Sequence, residues 1–282
     1  MEYKPRKWWI SGLLSLLEPG LGQIYNGQAL KGIIILLLPL LLLPGLLLCL
    51  NSSNILIYIS IYAVLLIVYY ILVIGDAVSN ARKLGSDYQL KKYNKVAVYI
   101  GVFLLASLIS MSLQGWIRSN YMQAFKIPAG SMEPTLLIGD HILVDRQMAA
   151  LNPKRGDLIV FEYPEDPSKY FIKRVVAVGG DTVEIKNKVL FLNGMELHEP
   201  YVTHKEADMI PASQNPRDNF GPQIIPRDSY FTLGDNRDRS YDSRFWGAVP
   251  KDKVKGTVKN LYWSWDKEKS SVRWDRIGMK VM

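Results

Sequence analysis

The sequence predicts a mostly β domain of partly closed antiparallel architecture, preceded by a multi-span α-helical membrane anchor. Two observations carry that reading. The first 115 residues hold three long uncharged apolar runs, whereas residues 116–282 break into short segments bounded by Gly, Pro, Asn or Asp, with partial apolar–polar alternation. A chain of 282 residues is long enough for both parts.

The anchor, residues 1–115, opens on Trp8-Trp-Ile-Ser-Gly-Leu-Leu-Ser-Leu-Leu, which Glu18-Pro-Gly stops too early for an ordinary span. Residues 8–17 are expected as an interfacial or re-entrant helix, with a fourth span as the alternative. The tract Pro19-Gly-Leu-Gly-Gln-Ile-Tyr-Asn-Gly27 resembles a motif of small multi-span bacterial membrane modules, a likeness that assigns no function. Transmembrane helices are expected at about 32–50, 54–75 and 96–115, the first two joined by the turn Asn51-Ser-Ser-Asn54. Lys4, Arg6, Lys7 and Lys31 precede the first, and Arg82, Lys83, Lys91, Lys92 and Lys95 lie between the second and third. The positive-inside rule then places the 76–95 loop in the cytoplasm and residues after about 116 outside it. Three successive spans argue against a cleavable signal peptide at the N-terminus.

The net charge of +8 does not indicate a nucleic-acid partner. Nine basic and four acidic residues fall in 1–115, against 25 and 22 in 116–282, so the second part is nearly balanced. Cys49, the sole cysteine, excludes an intramolecular disulfide and a cysteine cluster for zinc. His141, His198 and His204 are scattered without metal-ligand spacing, and no phosphate loop or dinucleotide fingerprint occurs. Neither a metal nor a cofactor is expected.

Strands are expected at 123–128, 141–146, 157–163, 170–178, 182–186, 188–193, 229–233 and 256–264, with a hairpin turning near Asn187. Residues 198–228 are Pro-rich and polar, and read as an excursion from the sheet.

Three segments could carry chemistry. Ser131 lies in Ile-Pro-Ala-Gly-Ser-Met-Glu-Pro-Thr, where Gly130 permits a tight turn and Pro128 and Pro134 stiffen its flanks. Taken alone, that segment is more simply a strand-ending turn. Lys173 lies in Tyr-Phe-Ile-Lys-Arg-Val-Val, where alternation puts it opposite Arg174. Taken alone, it is more simply a lysine snorkelling to the surface. If buried, it could serve as a base, because burial disfavours its charged form, and a serine hydroxyl needs such a base. Arg174 is too basic for that work and is expected to be structural. The segment Gly234-Asp-Asn-Arg-Asp-Arg-Ser-Tyr-Asp-Ser-Arg-Phe-Trp-Gly247 is either a solvated charged loop or a support. In the latter reading Ser240 would hold the Lys173 amine while Asp242 and Arg244 form a supporting pair.

Together these segments resemble bacterial signal peptidase I. The serine box of that family is similar to Ser131-Met-Glu-Pro-Thr-Leu136, and the next box to Gly139-Asp140. The lysine box is similar to Lys173-Arg-Val-Val-Ala-Val-Gly-Gly-Asp181, and the last to Gly234–Arg244, in the family's order over residues 105–264. The first hundred residues do not resemble its usual short anchor. The resemblance implies Ser131 as nucleophile, Lys173 as general base and Ser240 as the group orienting the lysine. It implies removal of signal peptides from exported preproteins after small residues, at the bacterial cytoplasmic membrane, with 116–282 extracytoplasmic and close to the secretion machinery. Ala129 stands where Gram-negative members often carry a serine that helps form the oxyanion hole. A substrate strand could add beside 124–129 and 170–172. Ile127, Met132, Leu136, Phe171 and Ile172 are equally readable as walls of a shallow apolar pocket or as ordinary core. The alternatives are a dedicated membrane serine–lysine peptidase with few substrates and a non-catalytic module binding exported tails. Self-cleaving repressors share the chemistry but would need a DNA-binding region.

Overall fold

A helix, a reversal and a second short helix begin the chain in a computed structural model that describes residues 4–49, 55–85 and 88–281. Helix α1 (Trp8–Leu17) has ten residues. It is therefore about 15 Å long, roughly half the thickness of a bilayer core. Gly20, at φ 97°, turns the chain into α2 (Leu21–Tyr25). Glycine is required because a Cβ there would lie 2.2 Å from the Gly32 carbonyl oxygen, and one on Gly22 2.3 Å from that of Ser11.

This close approach brings polar side chains within reach of α4 (Ile55–Lys83), which follows α3 (Ala29–Cys49). Ser11 Oγ and Asn26 Nδ2 donate to the Ala77 carbonyl at 3.0 and 2.8 Å. Gln23 Nε2 donates to the Val73 carbonyl at 2.9 Å and to Asp76 Oδ2 at 3.0 Å. The Pro19–Gly27 tract is thus a packing element, with Gln23 Nε2 and Asn26 Nδ2 bonded to α4. Helix α5 (Val96–Asn120) is the last of the long helices, and the chain divides into two units, Met1–Ile117 and Arg118–Met282.

Among the described residues, two stretches are long and apolar enough to cross a membrane, Ile57–Lys83 and Val96–Asn120. Their apolar side chains, such as Leu72, Leu104 and Leu108, are largely exposed in the isolated chain. The span expected at 32–50 overlaps α3, while residue 50 and the turn at 51–54 lie outside the described residues. Helix α4 continues past the expected end at 75 to Lys83, and Asp76 within it is paired with Lys31 at 2.7 Å.

The second unit is mostly β, with antiparallel sheets. Its strands are β1 (Met122–Lys126), β2 (Asp140–Asp145), β3 (Leu158–Tyr163), β4 (Asp166–Val178), β5 (Thr182–Lys186) and β6 (Val189–Leu192). They continue as β7 (Met195–Glu196), β8 (Phe220–Ile224), β9 (Ser229–Leu233), β10 (Val249–Pro250), β11 (Val254–Asp266) and β12 (Ser271–Val272). The larger sheet runs β1-β2-β11-β3-β4-β9-β10, with β12 on β11; the smaller runs β7-β6-β5-β8. Alternation decides what is buried. On β2, Ile142 and Val144 turn inward and join Leu158, Val160, Val258 and Leu261 in one core cluster. On β5, Val183 and Ile185 pair with Leu192 and Leu190 of β6 over a second cluster. The hairpin between them turns on Asn187 (φ 48°) and Lys188 (φ 70°), the left-handed pair that a two-residue turn requires.

The excursion expected at 198–228 needs correction at its end. Residues 220–224 return as β8 and pair with β5, Thr182 opposite Ile224. Gly221-Pro222 reads as a breaker in sequence, but β8 is an edge strand, where a proline costs no ladder bond. The two-residue strands β7, β10 and β12 are too short for any periodicity to reveal.

Candidate active site

Alternation on β4 sends Lys173 and Arg174 to opposite faces, and both are buried. Arg174 donates from Nε and Nη2 to Asp235 Oδ1 and Oδ2 at 2.9 and 2.7 Å, and from Nη1 to the Gly156 carbonyl at 2.7 Å. The Tyr201 ring lies 3.8 Å from its Cζ. With its charge paired and its donors engaged, Arg174 is structural.

On the other face, Lys173 Nζ donates to Ser131 Oγ at 2.7 Å. Burial strips water from the ammonium and pushes its pKa down from 10.5 to about 8; Asp242 opposes the shift, Arg244 adds to it and Asp235 again opposes it. A substantial fraction is therefore neutral near pH 8 and able to accept a proton.

Ser131 occupies a short 3-10 turn, Gly130–Met132, and the 234–236 loop fixes that turn. Asn236 donates from its backbone nitrogen to the Ser131 carbonyl at 3.2 Å and from Nδ2 to the Gly130 carbonyl at 3.0 Å. Thr135 Oγ1 donates to Asp235 Oδ2 at 2.5 Å, so one carboxylate ties the serine segment to β4. Gly234 must lack a side chain, because a Cβ would lie 2.2 Å from Ser240 Oγ and 2.5 Å from the Ser131 carbonyl oxygen.

Arg244 donates to Asp242, Nε to Oδ1 and Nη2 to Oδ2, both at 2.8 Å. Asp242 also accepts from the Gly234 backbone nitrogen at 3.0 Å and caps helix α6 (Ser243–Trp246). Burial alone would raise its pKa, but the Arg244 charge and these bonds hold it below the usual carboxylate value. Arg244 further donates to the carbonyls of Arg217 and Arg237, each at 2.7 Å. Ser240 differs from expectation. Its hydroxyl is buried, turned toward Gly234 and beside Asp242, whose pKa it helps to lower, and among the described residues it makes no bond to Lys173.

Beside the serine and lysine lies a cavity of about 380 Å³. Ile127, Met132, Phe171 and Ile172 line it, as does Ala129. Leu136 is a correction: it is fully buried with Ile142 and Leu158 in the core, because the turn after Ser131 directs it inward. Arg239 and Tyr241 also line the cavity and were missed by sequence reasoning, whereas Phe125 and Tyr170 lie in the 124–129 and 170–172 segments expected to meet a substrate strand. Sequence reasoning also gave Asp235 and Asn236 no role, although their place beside Gly234 in the last box was a usable signal. Among the described residues, no group of His, Cys, Asp and Glu could hold a metal ion.

The family model described as "Signal peptidase, peptidase S26" matches residues 98–263. The chain belongs to that family. The match encloses Ser131, Lys173, Ser240, Asp242 and Arg244, and begins just inside α5. Signal peptidase I of Aquifex aeolicus (strain VF5) is 36% identical, over 53% of this chain and 78% of that one. Signal peptidase I P of Bacillus subtilis subsp. natto is 36% identical, over 56% and 85% respectively. Signal peptidase I of Leptolyngbya laminosa is 38% identical, over 55% and 75%.

Proposed function

We propose that this chain is a membrane-bound serine–lysine endopeptidase that removes N-terminal signal peptides from exported preproteins. The observation that carries the reading is the 2.7 Å bond between the buried Lys173 amine and Ser131 Oγ. Neutral Lys173 takes the Ser131 proton as Oγ attacks the scissile carbonyl carbon. The tetrahedral intermediate then expels the new amino terminus, which receives that proton, and leaves an acyl-enzyme. Lys173 next activates the water that releases the signal peptide. Ser240 is assigned to orient the amine on the family's pattern, its buried hydroxyl turning from Asp242 toward Lys173. Asp242 and Arg244 hold the loop that carries it.

The sheet offers a place for an extended substrate. Strand β1 pairs only with β2, and β4 meets β9 only from Arg174 onward, so both present free edges beside the cavity. Their side chains meet through Phe125 and Tyr170, ring centroids 5.7 Å apart. A strand adding here would gain backbone bonds.

Cleavage is expected after Ala, Gly or Ser, with a small residue two positions upstream. The motivation is the family together with the short cavity walled by Ile127, Met132 and Phe171. Mass-spectrometric mapping that found efficient cleavage after Phe or Leu would reject the preprotein reading and leave the dyad standing. Such a profile also separates broad processing from a dedicated peptidase, and serine labelling separates either from a binding module.

Ala129→Ser would add a hydroxyl donor at the cavity wall beside Ser131. Activity should stay level or rise, by less than the roughly 3–4 kcal/mol attached to an established oxyanion donor. A large fall in kcat of a folded variant would show that the site requires alanine.

The catalytic unit is assigned to the extracytoplasmic side of a multi-pass anchor, near the secretion machinery, because Arg82, Lys83, Lys91, Lys92 and Lys95 lie from the end of α4 to the start of α5. In a Cys49→Ala background, an impermeant thiol reagent should label Ser213→Cys and not Lys92→Cys in spheroplasts. The reverse pattern would place the peptidase inside the cell.

A further inference from the structure

The family match leaves most of the anchor unexplained, and the anchor encloses a groove of about 700 Å³. Its mouth is formed by Lys4, Arg6 and Lys7, and no acidic side chain is among its described lining residues. The Arg6 guanidinium lies over the rings of Tyr25 and Tyr88, 4.3 and 4.9 Å from their centroids. Its Nε and Nη2 have no hydrogen-bond partner among the described residues, while the side chain also bonds Tyr99. The rings hold that charge at the mouth without neutralising it. Deeper in, the walls become apolar, with Leu14 and Leu17 from α1 facing Ile100 and Phe103 from α5. The distance from Lys7 to Leu17 along α1 is about 15 Å, the depth of one bilayer leaflet.

A cationic mouth above a leaflet-deep apolar slot selects an amphiphile with an anionic head. A signal peptide is the wrong occupant, because its own basic leading segment would meet three cations. We propose that this groove is a binding site for an anionic phospholipid, its phosphate at Lys4, Arg6 and Lys7 and one acyl chain between Leu14, Leu17, Ile100 and Phe103. Basic pockets beside membrane helices suit acidic head groups, since the cations lose little hydration to a bound phosphate at the interface. The site is independent of the peptidase chemistry and rests only on the anchor lying in a bilayer.

The test is native mass spectrometry of the purified full chain in detergent with added phosphatidylglycerol, phosphatidylcholine or inorganic phosphate. One phosphatidylglycerol should be retained per chain, with at least about tenfold preference over phosphatidylcholine, a difference of about 1.4 kcal/mol. The variant Lys4→Gln/Arg6→Gln/Lys7→Gln should lose that preference. Lys83→Gln/Lys92→Gln/Lys95→Gln, which removes equal charge outside the groove, should keep it. Ile100→Trp should also lose the lipid by filling the slot, with every cation intact. Equal loss in the two triple variants would mean diffuse attraction and overturn the site. So would equal retention of phosphatidylcholine, full displacement by inorganic phosphate, competition by a signal peptide, or unchanged binding in Ile100→Trp.

Discussion

Lys173→Ala should cut preprotein cleavage by the purified full chain about 10²–10⁴-fold, the range supplied by a positioned general base. Among the described residues the amine is the only nitrogen base bonded to Ser131 Oγ, and its removal takes away that proton acceptor. Ser131→Ala should lose at least as much, because no acyl-enzyme can form, and it should resist serine-directed acylating probes. Unchanged circular dichroism would show that both variants keep their sheets. Near-normal turnover by folded Lys173→Ala would remove lysine from the mechanism. Ser240→Ala should fall less than either, since it removes an orienting group and no proton acceptor.

Asp235→Ala should give the largest loss of stability, about 3–5 kcal/mol, since it strands the Arg174 charge in the interior. Each partner has 1% side-chain exposure, so water cannot replace the lost carboxylate. Thr135 loses its acceptor in the same variant, which also loosens the serine segment. Arg174→Met/Asp235→Leu removes both charges and should lie closer to wild type than Asp235→Ala does. Denaturant unfolding followed by tryptophan fluorescence measures all three. A loss below about 1 kcal/mol for Asp235→Ala would show that the pair is not load-carrying in the fold.

What the sequence revealed and what it concealed divide along the range of the interaction. Period-two alternation placed Lys173 and Arg174 on opposite faces, but it left Arg174 either solvated or paired, and only the fold shows it buried against Asp235. The Asn187 turn was legible because two left-handed residues suit it. The bonds that fix Ser131 were not legible, because Asn236 and Gly130 lie 106 residues apart and Thr135 and Asp235 lie 100 apart. No local pattern records such a meeting. For the same reason Leu136, apolar and next to the serine box, was as readable for a pocket as for the core that it joins. Strand β8 was hidden by a proline whose tolerance depends on an edge position that only the sheet order defines.

The central claim is that Lys173 acts as a neutral base because burial has lowered its pKa to about 8. Below that value the amine is protonated and cannot accept the Ser131 proton, so acylation should slow as pH falls; above it the rate should level off. The decisive measurement is the single-turnover acylation rate of a preprotein against pH, alongside direct titration of the amine. The account predicts a common midpoint near 8. A rate that climbs instead through the ordinary lysine value of about 10.4, with the amine titrating there too, would contradict it.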